Sequence, residues 1–480
     1  MTRDLLLGVD VGTTQTKVAA FDLEGRRVAS ARVGYPLFAD PATNAAEQDP
    51  EDWWAAAARA LGAVTAEVDP HRFVAMAVGG QGPTVVALDQ SLRPVCRALT
   101  WMDLRAAAEA QTLSKLAGRN LPSYFFMPKT LWLKNNQPEA YGAARAFCQA
   151  WDFVAARLIG ELAVSSSPGI APWNSDLIAG GGLDPAKFPP LRRMGERLGQ
   201  VTADAARATG LPQGLPVIGG ISDFFEGLIG SGALSRGIAC DNGGTSQGFS
   251  VCWDAPLDGE GLLKFPSFVE GQWYVGGPVS TTGKALDWWL GSILGCPADD
   301  FSALDEAAAL PAGSERLIFL PYLAGERAPI WDPQARGVFF GLSLGHGRGH
   351  LTRAILESVA YVLRHLIERF EAAGGQVIEI RACGGQAKSE AWSRVKADAT
   401  GRRVIVPEIT DAPVLGAAII AGVGGSAFGS FADGARQMAR PRAVIEPDEA
   451  AHARYAALFS LYRDLYPQVR PLYERLSNVR

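Results

Sequence analysis

The chain has only five histidines and six cysteines in 480 residues, and neither kind is arranged for chemistry. His71, His346, His350, His365 and His452 assemble into no metal-ligand pattern, which argues against metal-site hydrolysis. Cys96, Cys148, Cys240, Cys252, Cys296 and Cys383 are widely spaced, form no C-x-x-C pair, and sit in a chain long enough to need no disulfide staple. They are expected to be buried thiols in a reducing compartment. No serine occupies a G-x-S-x-G elbow, so serine hydrolysis drops out. No run of Lys and Arg offsets the formal net charge of -5, which leaves no basic field to hold nucleic acid. No apolar run reaches the roughly 18 uncharged residues of a membrane span, and Leu5-Leu6-Leu7 is too short for a signal-peptide core. A cytoplasmic location follows as the expectation.

What is present describes a packed α/β protein. Hydrophobic residues make up 48% and charged residues 20%, ordinary values for a globular chain, and the length exceeds what one core usually supports. Leu5 to Val11 is a continuous apolar run broken by Gly12-Thr13-Thr14, and Lys17 to Asp22 and Arg27 to Val33 follow with a tight turn between them, the pattern of an antiparallel meander. Asp49-Pro50-Glu51-Asp52 opens a helix with an N-cap acid, a proline at the first position and acids in the first turn. Phe73 to Val78 and Val85 to Leu88 read as strands separated by Gly79 to Pro83. The grammar then repeats: Gly237 to Asp241 and Gln247 to Cys252 flank Gly243-Gly244-Thr245-Ser246, so that Gly12-Thr13-Thr14-Gln15 returns as Gly244-Thr245-Ser246-Gln247, 232 residues later. Leu351 to Ala373 carries the apolar spacing of one helical face, and Val377 to Ala382 is a strand running into Cys383-Gly384-Gly385. The stretch Gly227 to Gly237 is rich in Gly and Ser and poor in charge, which makes it the expected hinge between domains 1–232 and 233–480.

A strand that ends in Asp and turns through Gly and two hydroxyls gathers backbone N–H groups and Oγ atoms in one concavity, which suits phosphate oxygens, while the Asp can face the accompanying metal. One copy is an ordinary turn; two copies at corresponding places carry more weight. Thr282-Gly283-Lys284-Ala285 is no Walker A sequence, because Pro278 stands where its first glycine belongs and Ala285 where its hydroxyl belongs. Gly422 to Ala427 meets the loose dinucleotide pattern but follows a helix, Pro413 to Ala421, and reads as a C-cap. The apolar strand Leu215 to Ile221 delivers Ser222-Asp223, and a carboxylate there can take the proton of an attacking hydroxyl. N-capping the following helix is an equal alternative for Asp223.

With these residues in view, the chain resembles the FGGY carbohydrate kinases from about residue 4 to about residue 425. Pro128 to Asn136 is similar to the family's first signature; Gly337 to Leu342 with His350 to Glu357 is similar to its second; Ala382 to Trp392 is similar to its adenosine motif. The resemblance implies two ribonuclease-H-like domains of the actin and hexokinase type with ATP between them in an interdomain cleft. It puts Asp10, Gly12, Thr13, Thr14 and Lys17 at a first phosphate site, with Asp10 toward Mg²⁺, and Gly244, Thr245 and Ser246 at a second. Gly283, Asp287, Gly384, Gly385 and Ser389 fall at nucleotide positions, Asp223 at the catalytic base, and Gln81, Trp101 and Asp103 at polyol positions beside it. The texture is nearest to the xylulose-kinase branch, which implies transfer from ATP to a terminal hydroxyl of a ketopentose such as D-xylulose, giving the 5-phosphate. Gly80-Gln81 in place of Met-His, and Phe224 after the base, depart from that branch and leave another sugar or polyol, or a catalytically silent ATP- or sugar-binding regulator, as alternatives. The expected partners are a sugar and ATP, without nucleic acid or membrane, and the homodimer is the assembly to test.

Overall fold

A computed structural model of the chain describes residues 3–167, 169–297, 300 and 302–479. They divide into two compact units, Met1–Gly230 with Ala412–Ala439 and Ser231–Asp411 with Arg440–Arg480.

The first unit is built on β1 (Leu5–Val11), β2 (Gln15–Asp22), β3 (Arg27–Gly34), β4 (Phe73–Gly80), β5 (Arg197–Gln200) and β6 (Pro216–Ser222). They lie in the order β5-β6-β4-β1-β2-β3. β1 pairs antiparallel with β2 and β2 with β3, whereas β1 with β4 and β4 with β6 are parallel. Every residue of β1 is buried, as its unbroken apolar run requires of a strand covered on both faces. The helix α1 (Pro50–Glu67) starts where the sequence places it: the Asp49 carboxylate accepts from the Glu51 N–H at 3.0 Å and Pro50 fills the first turn. α1 packs on β2 and β3. α2 (Phe126–Asn136) and α3 (Asp223–Ser231) complete the parts of this unit that bear on the site.

The second unit holds β7 (Ile238–Gly243), β8 (Gln247–Trp253), β9 (Leu263–Pro266), β10 (Trp273–Val279), β11 (Glu379–Cys383), β12 (Arg403–Pro407) and β13 (Pro441–Ile445). Their order is β9-β10-β8-β7-β11-β12-β13. β7 with β8 and β8 with β10 are antiparallel, and β7 with β11 and β11 with β12 are parallel. The order β3-β2-β1-β4-β6 therefore recurs as β10-β8-β7-β11-β12 with the same strand directions. The internal repeat is a whole sheet, of which the glycine-threonine turns are the visible trace. α4 (Arg348–Ala372) buries Ile355, Val359, Val362, Leu363, Leu366 and Phe370, the face read from the sequence, and α5 (Glu390–Thr400) packs against α4 and β12.

The chain then crosses back. α6 (Ala412–Gly424) packs on β1, β4 and β6, so residues 412–439 belong to the first unit and not to a continuous second domain 233–480. Ala412 to Gly422 is apolar on nearly every face and needs cover all round: the sheet covers one side, and α3 and the helix Phe431–Met438 cover others. α7 (Glu449–Ser477) closes the second unit with Tyr455, Phe459 and Tyr462 buried. The expected hinge at Gly227 to Gly237 is also shorter than its composition implied, because α3 runs through Ser231 with Leu228 and Ile229 buried. Of the six free cysteines, Cys148, Cys240, Cys252 and Cys383 are buried, whereas Cys96 and Cys296 are only half-buried. Among the described residues no helix is long and apolar enough to cross a membrane.

Candidate active site

In the first unit β1 ends at Asp10-Val11 and turns through Gly12-Thr13-Thr14 into β2. The Gly12 N–H closes the turn on the Gln15 carbonyl at 3.1 Å. Asp10 is buried opposite Lys17 in the ladder, with Nζ 3.4 Å from Oδ2. The turn carbonyls are drawn back into the protein: Gly12 O accepts from the Tyr35 hydroxyl, Thr13 O from Gln48 Nε2 at 2.7 Å, and Thr14 O from the Tyr35 N–H at 3.2 Å. A trans peptide points its N–H opposite to its C=O, so each pinned carbonyl turns the next N–H outward, the disposition an anion requires.

Gln81 lies buried just beyond β4. Its backbone N–H donates to Val11 O at 2.8 Å, its side-chain amide donates to Gln48 Oε1 at 2.7 Å and Gly12 O at 3.3 Å, and its Oε1 has no hydrogen-bond partner. Trp101 is 38% exposed and donates its indole N–H to Thr13 Oγ1 at 2.9 Å. Gly12, Thr13, Gln81 and Trp101 thus meet at one place. Asp103 turns elsewhere: its Oδ2 accepts from the Ala46 N–H at 3.0 Å and from Arg105 Nη2 at 2.6 Å, and Arg105 reaches on to Glu47 at 2.6 Å. The nearby helix spans Ala107–Ala117, too far along for Asp103 to cap. Lys129 of α2 is a residue whose part here the sequence reading did not find. Its buried ammonium donates to the carbonyls of Pro83 at 2.7 Å, Leu99 at 3.2 Å and Thr100 at 2.7 Å, tying the turn after Gln81 to the segment that presents Trp101.

Asp223 is the first residue of α3, directly after β6, and its Oδ1 accepts from the Phe224 N–H at 2.7 Å. Enclosure by protein, then the charge of Asp10, push its carboxyl up to about 7, with the Phe224 N–H and Lys17 pulling the other way. One turn on, Glu226 is fully buried with neither carboxyl oxygen hydrogen-bonded. It presses so closely on β4 that a Cβ at Gly79 would stand 2.0 Å from its carboxyl, which is why that position carries no side chain. Burial, then Asp10, drive Glu226 well above the ordinary carboxylate range. Its signal in the sequence is a lone acid inside the apolar run Phe224 to Ile229.

In the second unit Gly244 N–H closes on Ser246 O at 2.8 Å, and the turn carbonyls are again pinned inward. Gly244 O accepts from the Gly283 N–H at 3.1 Å and from Gln386 Nε2 at 3.1 Å, and Thr245 O accepts from the Lys284 N–H at 3.0 Å. Gly283 approaches so closely that an added Cβ would lie 2.3 Å from Gly244 O. Gly384 and Gly385 precede Gln386 in the same place, and the Thr245 side chain is exposed. Two of the nucleotide candidates are engaged otherwise or set apart: Ser389 Oγ caps α5 by accepting from the Trp392 N–H at 3.2 Å, and Asp287 stands exposed at the end of the short helix Gly283–Asp287. Glu326 and Arg327, which the sequence reading passed over, fix the strand end before Thr281. Glu326 Oε1 accepts from the Ser280 N–H at 2.6 Å, and Arg327 Nη2 donates to Val279 O at 3.1 Å.

Models of the N-terminal and C-terminal domains of the FGGY family of carbohydrate kinases match residues 5–230 and 242–425. The chain belongs to this family. It is an ATP:carbohydrate phosphotransferase, and its two repeated sheets are the ribonuclease-H-like units of the actin and hexokinase type of ATPase. Among proteins to which this FGGY kinase is similar, a xylulose kinase of Bacillus subtilis is 29% identical, with 99% of each chain covered. A gluconokinase of the same organism is 27% identical, with 98% of each covered. The crystal structure of a xylulose kinase from Rhodospirillum rubrum superposes with a TM-score of 0.84 at 28% identity, covering 98% of this FGGY kinase and all of that chain.

Proposed function

We propose that the protein phosphorylates the terminal hydroxyl of a small ketose, D-xylulose giving its 5-phosphate, with Asp223 as the base. The observation that carries this reading is the placement of Asp223 at the first turn of α3, next to Asp10 and Lys17, with its carboxyl raised toward neutrality by burial and then by the charge of Asp10. A carboxylate poised there ionises at working pH and accepts the proton of the attacking hydroxyl, the one acid-base task of phosphoryl transfer. The outward N–H groups of the two turns, with Thr13, Thr14, Thr245 and Ser246, bind the phosphates, and Lys17 stabilises charge on the transferring group. Gly283, Gly384 and Gly385 let the nucleotide approach the backbone. Gln81 Oε1, buried without a donor, and the exposed Trp101 form the sugar side, while Asp103 acts through Arg105 and the Ala46 amide.

Among the described residues no three His, Cys, Asp or Glu side chains are grouped to hold a metal by themselves. That fits Mg²⁺, which takes one or two carboxylates and fills its shell with water and substrate phosphates. Asp10 would hold it, and it would supply charge neutralisation at the phosphates. Six free thiols and the small-molecule substrates support a cytoplasmic setting.

The relatives named gluconokinase favour a second reading, in which the acceptor is an aldonate. Comparing kcat/KM for D-xylulose, other ketoses, polyols and D-gluconate by coupled ADP release separates the two. A preference for D-gluconate over every ketose would replace the first reading with the second.

A further inference from the structure

Beneath the second turn lies an ion pair that phosphate binding leaves unused. Asp241 of β7 and Lys396 of α5 are 0% and 2% exposed, with Lys396 Nζ 2.6 Å from Asp241 Oδ2. The same ammonium donates to Gln386 Oε1 at 2.8 Å. Gln386 Nε2 in turn donates to Gly244 O at 3.1 Å and Thr282 Oγ1 at 2.9 Å, and the Gln247 amide donates to the other Asp241 oxygen.

Stability of the fold does not account for this pair. Two charges taken from water lose hydration that their mutual attraction only partly returns, and apolar side chains of similar volume often serve as well or better. The neighbours Cys240, Val395, Ala397 and Cys383 are themselves small or apolar and buried. What the pair supplies is direction. An ammonium has donors only, so the oxygen of the Gln386 amide has to face Lys396 and its NH₂ has to face Gly244 O. Were the amide reversed, two acceptors would oppose each other at the Gly244 carbonyl. With the Gly244 carbonyl held inward, the Thr245 N–H of the same peptide unit points the opposite way.

We propose that Asp241 and Lys396 are a positioning pair for ATP: through Gln386, which shares the Gly244 carbonyl with the Gly283 N–H at 3.1 Å and Thr282 Oγ1 at 3.3 Å, they help hold the Gly244–Thr245 peptide and so aim its N–H at a phosphate. This rests on the reading of the turn as a phosphate site. Neither residue touches nucleotide in this role, and the sugar side is untouched by it.

The test uses the full chain and two variants. D241N/K396M removes both charges while keeping an acceptor for Gln247, and Q386L leaves the ion pair but cuts its link to Gly244 O. Melting temperature, sugar KM, and affinities for ATP and for adenosine, which has no phosphates, are measured for each. Both variants are expected to weaken ATP about tenfold, the scale of one well-placed hydrogen bond, with adenosine affinity and sugar KM unchanged. If D241N/K396M does not fold, Q386L alone decides. Unchanged ATP affinity, or equal losses for ATP and adenosine, would overturn the positioning role while leaving the kinase reading intact. Absence of ATP binding in the unaltered protein would instead overturn the phosphate-site reading and this inference with it.

Discussion

Replacing Asp223 by Asn should make the protein inactive and more stable, and the stability gain should depend on pH in a stated direction. Asp223 sits beside Asp10 with its carboxyl raised from 3.8 to about 7. A shift of that size corresponds to roughly 4 kcal/mol of penalty for the ionised form. The side chain is partly exposed, so screening leaves about 1–2 kcal/mol of it. The sign is fixed by linkage. An acid with a raised folded pKa holds its proton longer when folded, so the penalty is absent below about 4, grows between about 4 and 7, and is complete above. The substituted amide carries no charge at any of these values. The Asp223→Asn protein, free of nucleotide and metal, should therefore melt with the unaltered protein at pH 4 and roughly 2–6 °C above it at pH 8. ADP release with sugar should fall 10²- to 10⁴-fold, since Asn keeps the shape and cannot take the proton. Activity within tenfold of the unaltered enzyme would move the base elsewhere, and an equal melting difference at both pH values would refute the charge repulsion.

Thr245→Val removes an exposed hydroxyl from the second turn at nearly constant volume, and should raise the KM for ATP roughly three- to tenfold without changing which sugar is preferred; a change of sugar preference alone would contradict the placement. Lys129→Met leaves the Pro83 carbonyl without its donor and removes one of two donors from the Leu99 and Thr100 carbonyls, which keep the Val85 and Asp103 N–H groups, and should cost about 1–3 kcal/mol in urea unfolding while raising sugar KM more than ATP KM. Equal effects on both substrates would confine Lys129 to the fold. His365 is held down to about 4 by burial, then by Arg369 and Arg463, so the folded protein refuses a proton that the unfolded chain accepts below about 6.5. Stability should drop by about 3 kcal/mol between pH 6.5 and 4 from this residue, and His365→Gln should flatten that limb of the urea midpoint against pH.

The fold was legible where local rules and tertiary demand agreed. The Asp49-Pro50 cap, the apolar face of α4 and the twin turns at Gly12 and Gly244 are each written in a short stretch and appear as read. The crossing of α6 to the first unit was not legible as a domain return, although its apolar run was plain, because no local pattern says which sheet a fully buried helix will cover. On the site, strand ends and turns were readable: Asp10, Thr13, Thr245 and Asp223 stand where such motifs put them. Positions that act through partners distant in sequence were not. Asp241 and Lys396 are 155 residues apart, and Gln48 meets Gln81 across 33. Ser389 shows the converse, since a motif position offered for nucleotide is also a good N-cap, and its hydroxyl is used as one. Glu226 carried a visible signal, an acid in an apolar run, whose meaning depended on the closeness of β4.

Transfer of ATP's terminal phosphate to a sugar hydroxyl with Asp223 as base is tested most directly by ³¹P NMR of the unaltered and Asp223→Asn proteins incubated with ATP, Mg²⁺ and D-xylulose. A phosphomonoester signal growing in step with ADP is expected for the unaltered protein, and no such signal for the variant. ATP turned over to inorganic phosphate alone with every sugar tried, or a phosphomonoester formed equally fast by the variant, would contradict it.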